Sequence, residues 1–272
     1  MKSDSLLLRQ RDLGAFSFFA ASPDGAFAVY VKAPIGDLVL KDTPVEPFDY
    51  SYRSGDLFVY DTATGASWPL KGASDPEVVE DMPSFSPDGA RLIFSRYRVT
   101  EKNGVKGVHG MELAEVPFNQ GRGGEATAVA GTSLEGMWNY FARYSPNGKW
   151  ISFCRGDASQ GAYARRSSDI FLMPVAGHAA RRLALNVDGG MDSWHTWSPD
   201  SHWLAFSSNR EPNAMTALYL AYVDDDGNDH PPIKLVGFDK MKVNTPQFTP
   251  GALANESFEP VKAFIEASFP EQ

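Results

Sequence analysis

Short runs in which large apolar side chains alternate with small or polar ones recur along the chain. Each follows a turn of one type. Phe27-Ala28-Val29-Tyr30 follows Ser22-Pro23-Asp24-Gly25, and Arg91-Leu92-Ile93-Phe94 follows Ser86-Pro87-Asp88-Gly89. Trp150-Ile151-Ser152-Phe153 follows Ser145-Pro146-Asn147-Gly148, and Trp203-Leu204-Ala205-Phe206 follows Ser198-Pro199-Asp200-Ser201. Alternation with period two is the pattern of a half-buried strand. Proline at the second turn position presets φ, and Asp or Asn suits the third, so each unit predicts a hairpin. A fainter fifth copy is Gln247-Phe248-Thr249-Pro250-Gly251. The turns start at 22, 86, 145, 198 and 249, giving intervals of 64, 59, 53 and 51 residues. An all-β repeat of that length, one hairpin signature per unit, predicts blades of a β-propeller with insertions confined to loops.

Four full units and part of a fifth are visible, which gives five or six blades if the ring closes. The inner strands precede the turns. Asp56–Asp61, Met111–Val116, Asp169–Val175 and Leu218–Val223 read as third strands. Residues 33–54 and 96–110 read as loop insertions. Residues 1–13 are expected to form an N-terminal segment able to supply a ring-closing strand, 14–252 the propeller, and 253–272 a short C-terminal amphipathic helix. In that helix Phe258, Val261, Phe264 and Ile265 recur at helical spacing after Ser257.

Charge and composition narrow the partners. The net charge is −9, which disfavours a nucleic-acid backbone or an anionic membrane surface. No apolar run approaches the roughly 20 residues of a membrane span, so no membrane insertion is expected. Leu6-Leu7-Leu8 is too short for a signal-peptide core. The single Cys154 forms no internal disulfide and reads as a small buried residue.

Aligning the units on the turn serine picks out the candidate site. Six residues before it stand Glu80, Asn139 and Asp192; five before it stand Asp81 and Asn244; three before it stands His195, beside Trp194. Inner strands line the axis of a propeller, so these residues predict a polar, acidic channel rim able to take a cation or a basic peptide end. The alternative is a hydrated channel mouth with no ligand. His195 is either a core histidine bonded to a neighbouring backbone carbonyl or a ligand contact. On the rim reading, Asp192→Ala and Asp81→Ala weaken partner capture and leave the melting temperature nearly unchanged. The histidines show no metal-ligand spacing, and Asp224-Asp225-Asp226-Gly227 reads as a solvated turn, so neither a metal nor a cofactor is expected. There is no Gly-x-Ser-x-Gly elbow, no His-Glu-x-x-His and no phosphate-binding loop.

The hairpins Phe85–Phe94 and Trp197–Arg210 resemble the WD-like propeller repeat of the TolB family, over about residues 14–250. The resemblance implies a six-bladed, envelope-associated or periplasmic binding protein of bacteria. The functional expectation is therefore a non-enzymatic propeller that binds a protein or peptide. Two alternatives stay open: the accessory propeller of a serine peptidase system, and a carbohydrate-active propeller using acidic channel residues.

Overall fold

The computed structural model describes residues 18–33, 38–41, 49–52, 54–102, 105–158, 166–177, 179–211, 216–236 and 245–248. The expected N-terminal segment, the C-terminal helix and Asn244 lie outside them.

The described residues form four antiparallel, four-stranded sheets, the blades of a propeller-like fold. The first blade holds β1 (Phe19–Ala21), β2 (Phe27–Lys32), β5 (Asp56–Asp61) and β6 (Ser67–Pro69), with the hairpin β3 (Leu38–Lys41) and β4 (Asp49–Tyr52) inserted after β2. The second holds β7 (Val79–Phe85), β8 (Arg91–Tyr97), β11 (Glu112–Pro117) and β12 (Thr127–Ala128). Its insertion is the hairpin β9 (Val99–Lys102) and β10 (Val105–Val108). The third holds β13 (Met137–Tyr144), β14 (Trp150–Asp157), β15 (Asp169–Pro174) and β16 (Arg181–Arg182). The fourth holds β17 (Asp192–Trp197), β18 (Trp203–Ser208), β19 (Ala217–Tyr222) and β20 (Ile233–Lys234). The two insertions read as loops thus contain strand pairs.

The repeated turn is held by its own side chains. In all four units the serine hydroxyl donates to the Asp or Asn two residues on, as in Ser86 Oγ to Asp88 at 2.6 Å. The same oxygen accepts from the backbone N–H five residues on, at Phe27, Arg91, Trp150 and Trp203. Each Asp or Asn carboxyl or amide oxygen then accepts a backbone N–H two residues further along. One Ser-Pro-Asp/Asn unit therefore satisfies the polar groups that a tight turn would leave orphaned. That is why the motif recurs while the side chains around it change.

The middle strands carry the core. Val29, Val31, Leu57, Val59, Leu92, Phe94, Ile170, Leu172, Leu204 and Phe206 are fully buried in one continuous apolar cluster. Neighbouring blades are tied by a repeated backbone link. The N–H of Glu80 donates to Gly55 C=O, that of Asn139 to Met111 C=O, and that of Asp192 to Ser168 C=O, each at 2.8–2.9 Å. Each donor stands six residues before its turn serine, and each acceptor just before the third strand of the preceding blade. A buried side-chain bond, Trp197 Nε1 to Ser152 Oγ at 2.8 Å, adds to the joint between the third and fourth blades.

Candidate functional site

The inner strands carry a feature that the alternation pattern does not show. In β7, β13 and β17 the register with the second strand shifts, between Asp81 and Ser84, Tyr140 and Arg143, and Ser193 and Thr196. At the shift sits a residue with left-handed backbone: Met82 (φ 54°), Phe141 (φ 53°) and Trp194 (φ 54°), with Thr245 (φ 56°) at the equivalent place in the fifth repeat. Left-handed φ is uncommon for bulky residues, and a β-bulge is where a strand re-aims its side chains. Its recurrence in successive units marks it as part of the architecture.

The side chains at this position meet, Phe18 holding it in the first blade without a bulge. The Phe18 and Phe141 rings lie edge to face at 5.6 Å, and Phe141 lies 4.5 Å from Trp194. Phe18, Met82, Phe141, Trp194 and Thr245 all stand four residues before the first residue of their turn, a serine in four units and Thr249 in the fifth, and all line a cavity of about 1010 Å³. The cavity runs from this aromatic layer towards the turns, where Pro23, Pro87 and Pro146 bound it. His195 and Arg143 complete the wall.

Of the residues expected at the site, Trp194 and His195 line this cavity. Glu80, Asp81, Asn139 and Asp192 do not, because the bulge separates positions five and six from the cavity wall. The expected single acidic rim is corrected accordingly. Asn139 is fully buried; its Nδ2 donates to Met111 and Thr132 carbonyls and its Oδ1 accepts from Arg155 Nε at 2.7 Å. Asp192, also fully buried, accepts from Val187 N–H at 2.8 Å and from Arg210 at 2.6 Å. These two side chains hold the blade connections rather than face an opening. Asp81 is buried and accepts from Met82 N–H at 2.8 Å, at the start of the bulge.

Glu80 reaches a different space. One oxygen accepts from Asp75 N–H at 3.3 Å, while Oε2 is buried with no partner. It lines a separate pocket of about 470 Å³, with Arg96, His109 and Glu112. Arg96 is bound to Glu112 at 2.6 Å.

Burial sets the charge states. It pushes the Glu80 carboxyl up to about 8, with Asp56 and Asp75 adding repulsion, and the Asp81 carboxyl up to about 7. It drives the His195 imidazole down to about 3, aided by Arg143, so His195 is neutral near pH 7. Burial also pushes the Cys154 thiol up to about 12. The Cys154 sulfur lies 3.5 Å from His195 Nδ1, and His195 Nε2 has no partner. His195 meets the Ser152 backbone of the neighbouring blade, as the core reading expects, and contacts the Cys154 thiol there as well.

The raised carboxylates give a signed pH dependence. A folded-state pKa above the unfolded one means that the native state holds its proton longer. Stability from Glu80 is complete below pH 4.5 and is lost as pH rises through about 8. His195 acts in the opposite sense, losing stability as pH falls from 6.5 towards 3. Between pH 6.5 and 8 the carboxylates dominate this pair of effects. We expect the melting temperature to fall across that interval and Glu80→Gln to flatten the fall. Equal slopes for both proteins in thermal melts would mean that Glu80 ionises as an ordinary surface carboxylate.

Among the described residues no cluster of three or more His, Cys, Asp or Glu is placed to hold a metal ion. The acidic turn is closed by its own groups, with Asp224 accepting from Asp226 and Asn228.

No family model and no curated protein matches the chain. Solved structures do. An oligogalacturonate lyase from Vibrio parahaemolyticus matches with a TM-score of 0.52 at 15% identity, over 80% of this chain and 52% of that one. A puromycin-hydrolyzing peptidase from Mycobacterium tuberculosis matches with a TM-score of 0.50 at 14% identity, over 83% of this chain and 39% of that one. The chain thus spans about half the length of the lyase and less of the peptidase. At such identities the likeness shows the fold. It also corrects the non-enzymatic expectation. This architecture occurs in a lyase and a peptidase, so a propeller without a nucleophile elbow or zinc motif is no mark of a non-enzyme.

Proposed function

We propose that the chain is a peptide-binding propeller serving a peptidase-type system, and that the axial cavity takes the peptide. The observation that carries this reading is the cavity itself. Its volume of about 1010 Å³ is at the upper end for ligand sites, and equivalent residues of successive blades converge on it. Phe18, Phe141 and Trp194 offer flat apolar faces at one end, suited to aromatic or proline side chains. Pro83 and Pro87 lack an N–H, and the remaining wall is largely apolar, so orientation falls to a few polar groups.

The test is photo-crosslinking with a tripeptide carrying benzoylphenylalanine at its centre. The expected adducts are on Met82, Phe141 or Trp194, and unlabelled peptide competes them away. Adducts confined to the outer strands, or insensitive to competitor, would overturn the assignment.

A further inference from the structure

We infer that the cavity reads a carboxylate: it binds ligands that join an apolar body to a free carboxyl group, with Arg143 as the anion's partner and His195 beside it. The inference rests on the proposed peptide site and assigns its chemistry.

Arg143 is the carrying observation. Arg143 lines the cavity, its Nε is buried without a hydrogen-bond partner, and no carboxylate among the described residues pairs with it. The nearby Glu115 is committed elsewhere, to Arg91 at 2.9 Å and to the Tyr144 hydroxyl. Other arginines near the inner and middle strands are paired: Arg96 with Glu112 and Arg155 with Asn139 within them, and Arg210, just after β18, with Asp192. An unpaired guanidinium that is partly withdrawn from water is costly, and a chain of net charge −9 has carboxylates to spare for it. No Asp or Glu is among the described cavity-lining residues.

The second observation is independent. His195 is 1% exposed, and its unpartnered Nε2 belongs to a residue lining the same cavity. Nδ1 lies beside the Cys154 thiol and the ring meets the Ser152 backbone; in the tautomer that carries the proton on Nε2 the thiol donates to Nδ1. An anion held by Arg143 favours that tautomer, because Nε2–H then has an acceptor. The guanidinium presents a planar fork that matches a carboxylate. The aromatic layer made by Phe18, Phe141 and Trp194 takes the apolar body. The charge inside the cavity is therefore opposite to that expected of an acidic rim.

Two sources share this chemistry: the free C-terminus of a peptide and a small aryl carboxylic acid. Calorimetry separates them with three probes: N-acetyl-Phe-Ala-Phe with a free carboxyl, the same peptide as its amide, and 3-phenylpropionate. The acid peptide is expected to bind at least roughly tenfold more tightly than the amide. Arg143→Met should abolish that preference, and Arg143→Lys should keep part of it. Removing an uncompensated, partly buried cation should also leave the melting temperature unchanged or higher. Equal binding of acid and amide by the native chain would overturn the carboxylate assignment and leave the peptide site standing. Arg143-dependent binding of 3-phenylpropionate with neither peptide bound would keep the carboxylate assignment and overturn the peptide site. Binding of none of the three would overturn both, and an acid preference surviving in Arg143→Met would remove Arg143 as the reader. The comparison on the native chain stands whether or not the variants fold.

Discussion

Replacing Asp192 with alanine is expected to destabilise the protein by about 3 kcal/mol, the low end for breaking a buried ion pair. The carboxylate has 0% side-chain exposure and the Arg210 side chain 16%, so neither partner is well solvated. Removal leaves Arg210 with Leu185 C=O, Ser208 Oγ and the Tyr219 ring face, none of which carries negative charge. It also orphans the Val187 N–H that closes the connection between the third and fourth blades. Arg210 retains those contacts and some water, which holds the loss below the larger values in that class. Asp192→Asn keeps acceptor capacity and should lose less. Urea denaturation of the three proteins is the measurement. A loss for Asp192→Ala within about 0.5 kcal/mol of zero, the range of an ordinary surface substitution, would mean that the pair contributes nothing to the fold. The melting temperature is therefore expected to respond to this residue, contrary to the rim reading of the sequence.

Phe206→Ala is expected to cost about 3–5 kcal/mol. Phe206 is fully buried in β18, its ring stacks on Tyr219 at 5.7 Å, and the Arg210 guanidinium lies over it at 5.3 Å. The substitution opens a void between two middle strands that have no room to collapse, since Leu204 and Ala221 beside them are also fully buried. In a chain of this size the melting temperature should drop by on the order of 10 °C. A variant that melts like the native protein would remove β18 from the core. The Asp192 and Phe206 losses should not be summed, because both act on Arg210.

These two residues show what the sequence displayed and what it hid. Phe206 was legible because alternation after a Ser-Pro-Asp turn has a single structural meaning, and the same pattern located the blades through their second strands. Asp192 was found as a position and misread as a site. Counting back from the turn serine assumes an uninterrupted strand, and the bulge at Trp194 breaks that count. Glycine usually announces left-handed backbone, yet here Met82, Phe141 and Trp194 adopt it, so no residue type gave warning. The cavity arginine was missed for a related reason. Arg143 stands two residues before its turn, where the other units have Ala20, Ser84 and Thr196, and a residue without a counterpart is invisible to repeat alignment. Its solitude is a fact of three dimensions: only the placement of Glu115 against Arg91 and Tyr144 shows that no acid answers it.

The recurring bulge also separates two duties within β7, β13 and β17. The ladder to the second strand is made on either side of the shift, whereas the residue at the shift contributes only its side chain to the axis. A change of Met82 or Trp194 to another large residue would alter the collar around an incoming molecule while every rung on the flanking segments stays paired. The same scaffold could in this way be refitted for guests of different shape by exchanging one side chain per blade.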